Sequence, residues 1–485
     1  MRRLFTAAAG LIVLVVAVVL VRTLTLSSRQ LDVVPVAGIE VDESAAAARL
    51  GQALTYRTIS HQNPTEFDPA PFVAFRHHLA QTYPGVHRVM QLQVVAGYSL
   101  LYTWQGSEPE EAPIILLAHS DVVPVDPGTE ADWIQPPFSG AVADGYIWGR
   151  GAIDDKASLV AILEAVEALV GAGFRPRRSL YLAFGHDEEI GGDGARAMVE
   201  LLKQRNVRAF YILDEGRSIS EGELPGIEGP VAQIGIAEKG YMTVELAVEQ
   251  DGGHSSQPPP TTGLGILGRA VSRLESNQRP AAIRGAVREM FATLAPEMPF
   301  SQRLSYANLW LFGARVKASM AQAPTTNAMI RSTTATTMAQ GSSKENILPA
   351  RASMVVNFRL LPGETSAIIL EHIRKTVADE RVVVTVLGPI DEPSNVSPVD
   401  SEPFRALART VRQLFPEVLV TPALVLGATD SRHYRDLSAN IYRFAPNRMK
   451  PGDGKRVHGT NERTGVATFA DMIRFYAQLL RNTAL

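Results

Sequence analysis

The sequence predicts an α/β protein: a domain built on a mostly parallel central sheet, interrupted by an inserted α+β domain. Three short, largely apolar runs, at 114–118, 179–184 and 209–213, each end in acidic or imidazole side chains. Buried strands of a parallel sheet look like this, with polar groups just past the carboxyl edge where open α/β sheets bind ligands. Between the first two runs, Leu159, Ile162, Leu163, Val166, Leu169 and Val170 fall at helical spacing, and Gly171 offers a stop. That is the crossover helix of a βαβ unit. After Lys239 the grammar changes to two-residue alternation over 241–249, which marks a differently built insert.

Taken in order, the chain starts with Arg2 and Arg3 and then runs without charge from Leu4 to Val21. This is long enough to cross a bilayer, and the flanking arginines favour an inside amino terminus. Residues 4–25 are expected to anchor the chain in a membrane with the body outside the cytosol. A cleaved signal peptide, and hence a secreted product, is the alternative, although no clear small-x-small cleavage site follows. Residues 26–44 read as a tether. Residues 45–238 form the first part of the α/β domain and 396–485 its second part. The insert at 239–395 shows a strand at 241–249, a helix at 263–274, a long irregular stretch, a strand at 352–360, a helix at 365–378 and a strand at 382–387. That order fits an α+β sandwich of ferredoxin-like type.

Composition narrows the chemistry. The 485 residues carry 46% hydrophobic and 20% charged side chains with a net charge of −3, so no basic stripe exists to hold nucleic acid. Cysteine is absent, which removes thiol nucleophiles, disulfides and Cys-ligated zinc together. Any metal must be held by His, Asp and Glu.

The candidate site residues stand at the strand ends. Glu188 and Glu189 are adjacent carboxylates after the second run, a costly arrangement unless a cation lies between them or one is protonated. His119 and Asp121 follow the first run, Asp154 and Asp155 precede the crossover helix, and Asp214 and Glu215 follow the third run. Each has a bland reading, as a core histidine, helix cap or solvated loop. All four bland readings at consecutive strand ends of one sheet are improbable together.

The order and wording of these segments, with Val457-His458-Gly459-Thr460-Asn461-Glu462-Arg463 near the end, resemble the dizinc peptidase family of aminoacylase, carboxypeptidase S, glutamate carboxypeptidase and succinyl-diaminopimelate desuccinylase. The wording from Gly185 to Glu189 and the anchor are most similar to the carboxypeptidase S branch. The resemblance implies two Zn2+ per chain, with Co2+ or Mn2+ as substitutes. It makes His119 a ligand of one zinc, Asp154 the bridge, Glu189 a ligand of the second, and His458 the late ligand. The remaining ligand is Glu215, with Asp214 as the alternative. Asp121 orients His119, as metal-bound imidazole requires. Glu188 is left free as the general base, a role that the bottom-up chemistry reaches independently.

In the insert, His254 resembles the lid histidine that stabilises an oxyanion, and Asn346 and Arg359 resemble residues that grip the substrate and its carboxylate. Arg432, in Gly427–Arg432, resembles part of another pocket loop. His77, His78, His372 and His433 receive no role. The Asp154–Asp155 peptide is implied to be cis. In dimeric relatives the lid histidine serves the partner's site, but the long stretch at 277–344 departs from compact relatives and puts that homodimer in question. The implied activity is hydrolysis or condensation of an amide bond in a peptide or N-acyl amino acid, next to a free carboxylate. The alternatives are a deacetylase or desuccinylase of a biosynthetic intermediate and, in another class, a metal-free binding protein on a degenerate scaffold.

Overall fold

The computed structural model describes residues 1–224 and 226–485. Its largest unit is a ten-stranded sheet. Strand Ile114–His119 lies between Leu180–Gly185 and Tyr211–Asp214, parallel to both, and Ile441–Arg443 continues in parallel beside Tyr211–Asp214. Beyond it lie Val231–Glu238 and its parallel neighbour Leu419–Val425, while an antiparallel hairpin, Gln91–Val95 and Ser99–Trp104, closes the other edge. The three runs read from the sequence are therefore adjacent strands, and their polar ends share one edge.

The crossover helix is Lys156–Gly171, whose buried face includes Leu159, Ile162, Leu163 and Val166. It packs against the C-terminal helix Val466–Thr483 in the same core. Asp155 occupies the position before its first turn, but its side chain does not cap the helix; it faces the backbone N–H of His119 at 3.4 Å. Elsewhere the caps follow local chemistry: Asp42, Thr262, Thr365 and Ser401 each accept a backbone N–H of the first turn they open.

The insert holds a four-stranded antiparallel sheet in the order Thr333–Gln340, Arg351–Leu360, Gly240–Glu249, Val383–Asp391. Helices Gly263–Ser276 and Ser366–Val377 cover it, and Val244, Leu246, Ile266, Phe358 and Ile369 make a second core. This is the expected strand-helix-strand-strand-helix-strand order.

Two expectations need correction. The stretch read as irregular forms four helices, Gly285–Leu294, Phe300–Ala307, Leu309–Met320 and Pro324–Ile330. Pro296, Pro299 and Pro324 divide them into pieces too short for a clear helical period. Their apolar residues Val287, Met290, Phe291 and Leu294 join the core of the large sheet, not that of the small one. The tether is also no free spacer. Leu31, Ile39 and Val41 pack on the large core, and the Gln30 side chain pairs with the backbone of Val420 at 2.7 and 2.9 Å.

Candidate active site

His119, the last residue of its strand, is almost wholly buried. Its Nδ1 lies 3.0 Å from the Asp121 carbonyl and 3.2 Å from the Asp121 carboxylate, while Nε2 lies 3.0 Å from Asp154 Oδ1 and 3.9 Å from Glu215 Oε1. Asp121 is itself pinned by the backbone N–H groups of Glu188 and Glu189, both at 3.2 Å. On the other side, His458 Nε2 lies 3.0 Å from Asp154 Oδ2 and 3.1 Å from Glu189 Oε2. The result is two triads, His119–Asp154–Glu215 and Asp154–Glu189–His458, each with ligand atoms within 4.8 Å of one another and with Asp154 common to both.

The chemistry of this donor set fits two cations. The second oxygen of Glu189 is buried without a hydrogen-bond partner, which is costly unless something positive meets it. Burial first, then the neighbouring Asp154, drives Glu215 well above the usual carboxylate range. Hydrogen bonds to Asp154 and Glu189 push His458 up to about 10. So many acids around two imidazoles lack positive charge, which divalent cations held by His and carboxylate would supply.

Asp214 does not face the triads. Its oxygens accept the N–H groups of Glu215 at 3.0 Å and Ser431 at 2.7 Å, so it braces the 429–432 loop and leaves Glu215 to turn inward. The Asp154–Asp155 peptide is cis. Glycine is required where that loop meets the acidic turn: a Cβ at Gly185 or Gly192 would run into the Asp430 carboxylate, and Gly192 also holds a φ of +73°.

Glu188 stands beside the triads but belongs to neither. Burial, reinforced by Glu189 and Asp121, pushes its carboxyl up to about 8 against the opposing pull of His119 and Arg432. Arg432 Nη1 lies 3.3 Å from Glu188, and its Nε lies 3.7 Å from Asp391 at the end of an insert strand. Arg359 comes from the neighbouring part of the insert and lies 4.7 Å over the Tyr241 ring; burial, and then Arg432 as a like charge, lower its pKa. The structure thus brings Arg359 and Arg432 to the Glu188 side of the site.

His254 and Asn346 are elsewhere. Tyr241 pairs with Arg359 at one end of the insert sheet, and Glu249 pairs with Arg351 at the other. Eight residues of strand are roughly 26 Å. His254 and Asn346 lie in the segments just beyond that far end, both exposed, with His254 paired to Ile347 and Ser255 N–H donating to the Asn346 carbonyl. Sequence reasoning also missed Glu462 and Arg150. Glu462 is fully buried, accepts the N–H groups of Gly151, Ile153 and Asp154, and pairs with Arg150 at 2.7 Å. Arg150 in turn donates to the His458 carbonyl, so the pair ties the Asp154 loop to the His458 loop. No periodicity or spacing signals such a tie, because it joins segments about 310 residues apart.

The comparisons agree with this architecture. The profile of Peptidase family M20/M25/M40 matches residues 115–482. A probable carboxypeptidase S-like protein of Dictyostelium discoideum is 40% identical over 445 residues, covering 90% of this chain and 85% of that protein. The N-fatty-acyl-amino acid synthase/hydrolase of Homo sapiens is 43% identical over 397 residues, 81% of this chain and 78% of that protein. Among solved structures, a metallo-carboxypeptidase of Sulfolobus solfataricus superposes with a TM-score of 0.64 at 19% identity, covering 91% of this chain and 99% of that one. The fold and the site define a metal-dependent amide hydrolase. The chain belongs to Peptidase family M20/M25/M40, near its carboxypeptidase S-like members.

Proposed function

We propose that this chain hydrolyses, and in the reverse direction forms, the amide bond between a long acyl group and an amino acid with a free carboxylate, using two zinc ions. His119, Asp154 and Glu215 would hold one ion, and Asp154, Glu189 and His458 the other. When bound, the metals act as Lewis acids on the amide carbonyl and make water acidic near neutral pH. The observation that carries the reading is Glu188: a carboxylate outside both triads and only slightly exposed, paired with Arg432, which in turn neighbours Arg359 from the insert.

Glu188 accepts the proton of the attacking water and returns it to the departing amine, so one proton is taken and one given per turnover. Asp121 holds the His119 ring through Nδ1 and, through the backbone of residues 188 and 189, sets where the base points. Arg359 and Arg432 face the amino-acid carboxylate, which guanidinium groups meet with paired hydrogen bonds. The acyl group is placed in a cavity of about 850 Å³ that opens from Asp154 and Glu215 and has Val425, Leu426, Met449 and Val457 in its wall, within the size range of ligand pockets. The relatives named for N-fatty-acyl amino acids support that assignment.

The N-terminal helix, Arg2–Leu24, is proposed as a retained membrane anchor. Among the described residues it is the one helix long and apolar enough to cross a membrane. Asn308 is fully buried and donates its amide to Val19 O at 3.2 Å and Thr23 Oγ1 at 3.1 Å, and cleavage would strip that amide of these partners. His254 and Asn346, so far from Arg359 along the insert, are proposed to complete the site of a second copy in a homodimer.

The test is purified full-length chain, loaded with zinc, offered N-acyl amino acids of rising chain length, dipeptides, and their C-terminal amides, with and without chelator. Turnover of free acids that rises with acyl length and vanishes with chelator is expected. Equal turnover of the amides would remove the carboxylate from the proposal.

A further inference from the structure

The helical excursion at 285–330 does three things at once. Its first helix packs on the edge of the large sheet. Thr325, near its end, lines the cavity that holds Asp154 and Glu215. Its middle, the corner between Phe300–Ala307 and Leu309–Met320, grips the N-terminal helix: Asn308 bonds Val19 and Thr23, and Arg22 Nε donates to the Ala307 carbonyl at 3.4 Å.

That corner has an unusual outer surface. Phe300, Trp310 and Leu311 are 51%, 55% and 45% exposed, and the indole N–H of Trp310 donates to Asn308 Oδ1 at 3.3 Å, so its position is tied to the anchor. Beside it, a cavity of about 800 Å³ is lined by Arg22, Arg29, Arg288 and Lys317, with Glu289. The height of this corner along the anchor follows from helix geometry. From Arg3 to Arg22 the helix rises roughly 28 Å, about the thickness of the hydrocarbon core. Val19 therefore lies roughly 5 Å inside the outer boundary. A corner bonded to Val19 and Thr23 sits at the level where bilayers favour tryptophan and where cationic side chains meet lipid phosphates.

We propose that the 300–320 corner is embedded in the outer bilayer interface alongside the anchor, with Trp310, Leu311 and Phe300 among the lipid chains and the cationic cavity against phospholipid headgroups. The occupant of this surface is the bilayer itself. The inference rests on the anchor reading and extends it: the catalytic body lies against the membrane instead of hanging from it, and the helical excursion that touches lipid also contributes Thr325 to the wall of the acyl cavity. Lipid-dissolved acyl chains then meet a catalytic body already held at the bilayer surface.

The experiment uses full-length chain reconstituted in phosphatidylcholine vesicles whose acyl chains carry bromine at a shallow or a deep position. Trp104, Trp133 and Trp148 are buried and Trp310 is the exposed one of the four tryptophans, so the difference between the parent and Trp310→Phe isolates its signal. Quenching of that difference signal, stronger for shallow than for deep bromine, is expected. Flotation of the same vesicles is read in parallel. Protein that floats with the lipid while Trp310 is unquenched overturns the embedded corner and leaves the anchor standing; protein that fails to float overturns both. As a second readout, Trp310→Asp with Leu311→Asp is expected to lower turnover of a long-chain N-acyl amino acid presented in vesicles while leaving a short, water-soluble one unchanged. Equal loss on both would assign the corner to folding and overturn the proposal.

Discussion

At the residue scale the site separates two neighbours that the sequence makes look alike. Glu189 points into a triad and Glu188 does not. Glu188→Gln is expected to lower turnover by about a hundredfold to ten-thousandfold, the usual yield of a lost general base, with metal content unchanged by elemental analysis. Glu189→Ala is expected to lose one of the two ions. Reversed outcomes would shift the assignment by one residue. Arg359→Ala is expected to weaken turnover of free-acid substrates strongly and of their amides little, and Arg359→Lys to recover only part, because an ammonium lacks the two-pronged donor set. Kinetics on matched acid and amide pairs decide it; equal losses would make Arg359 a support for Tyr241, over which it stacks.

At the element scale, the crossover helix carries the site on its N-terminal side. Asp154 and Asp155 immediately precede Lys156, and the helix behind them is buried along most of its length. Leu163 is wholly enclosed, so Leu163→Ala is expected to cost about 2–5 kcal/mol through lost transfer energy and the cavity left behind. Urea unfolding would show a lower midpoint with an unchanged slope. The four helices at 285–330 teach a different lesson. Their apolar residues serve a core formed by strands far along the chain, such as Leu419–Val425, so the pattern has meaning only against that partner surface.

At the scale of the molecule, the insert sheet spans the distance between Arg359 at the catalytic side and His254 beyond its other end. If His254 serves a second copy, a chain bearing Glu188→Ala and a chain bearing His254→Ala, each nearly inactive alone, are expected to regain activity when co-expressed, since one site in the mixed dimer is then complete. Continued inactivity of a demonstrated mixed dimer would place His254 within its own chain's site after closure of the insert.

Part of the candidate site was legible because His119, Glu188, Glu189, Asp214 and Glu215 each close or follow an apolar run that reads as a buried strand, and strand ends of a parallel sheet converge by geometry. The roles expected of them, like those of Asp154 and His458 and the choice of Glu215 over Asp214, came from the family resemblance and not from that rule. The tertiary structure decided what no local pattern encodes. It turned Asp214 to brace Ser431, buried Glu462 between two ligand loops, laid the presumed tether along the core, folded the irregular stretch into helices, and held the N-terminal helix through Asn308. The physical reason is common to all five. Local sequence reports the spacing and chemistry of neighbours, whereas these contacts join segments from more than 120 to nearly 400 residues apart, whose meeting is fixed only when the whole core closes.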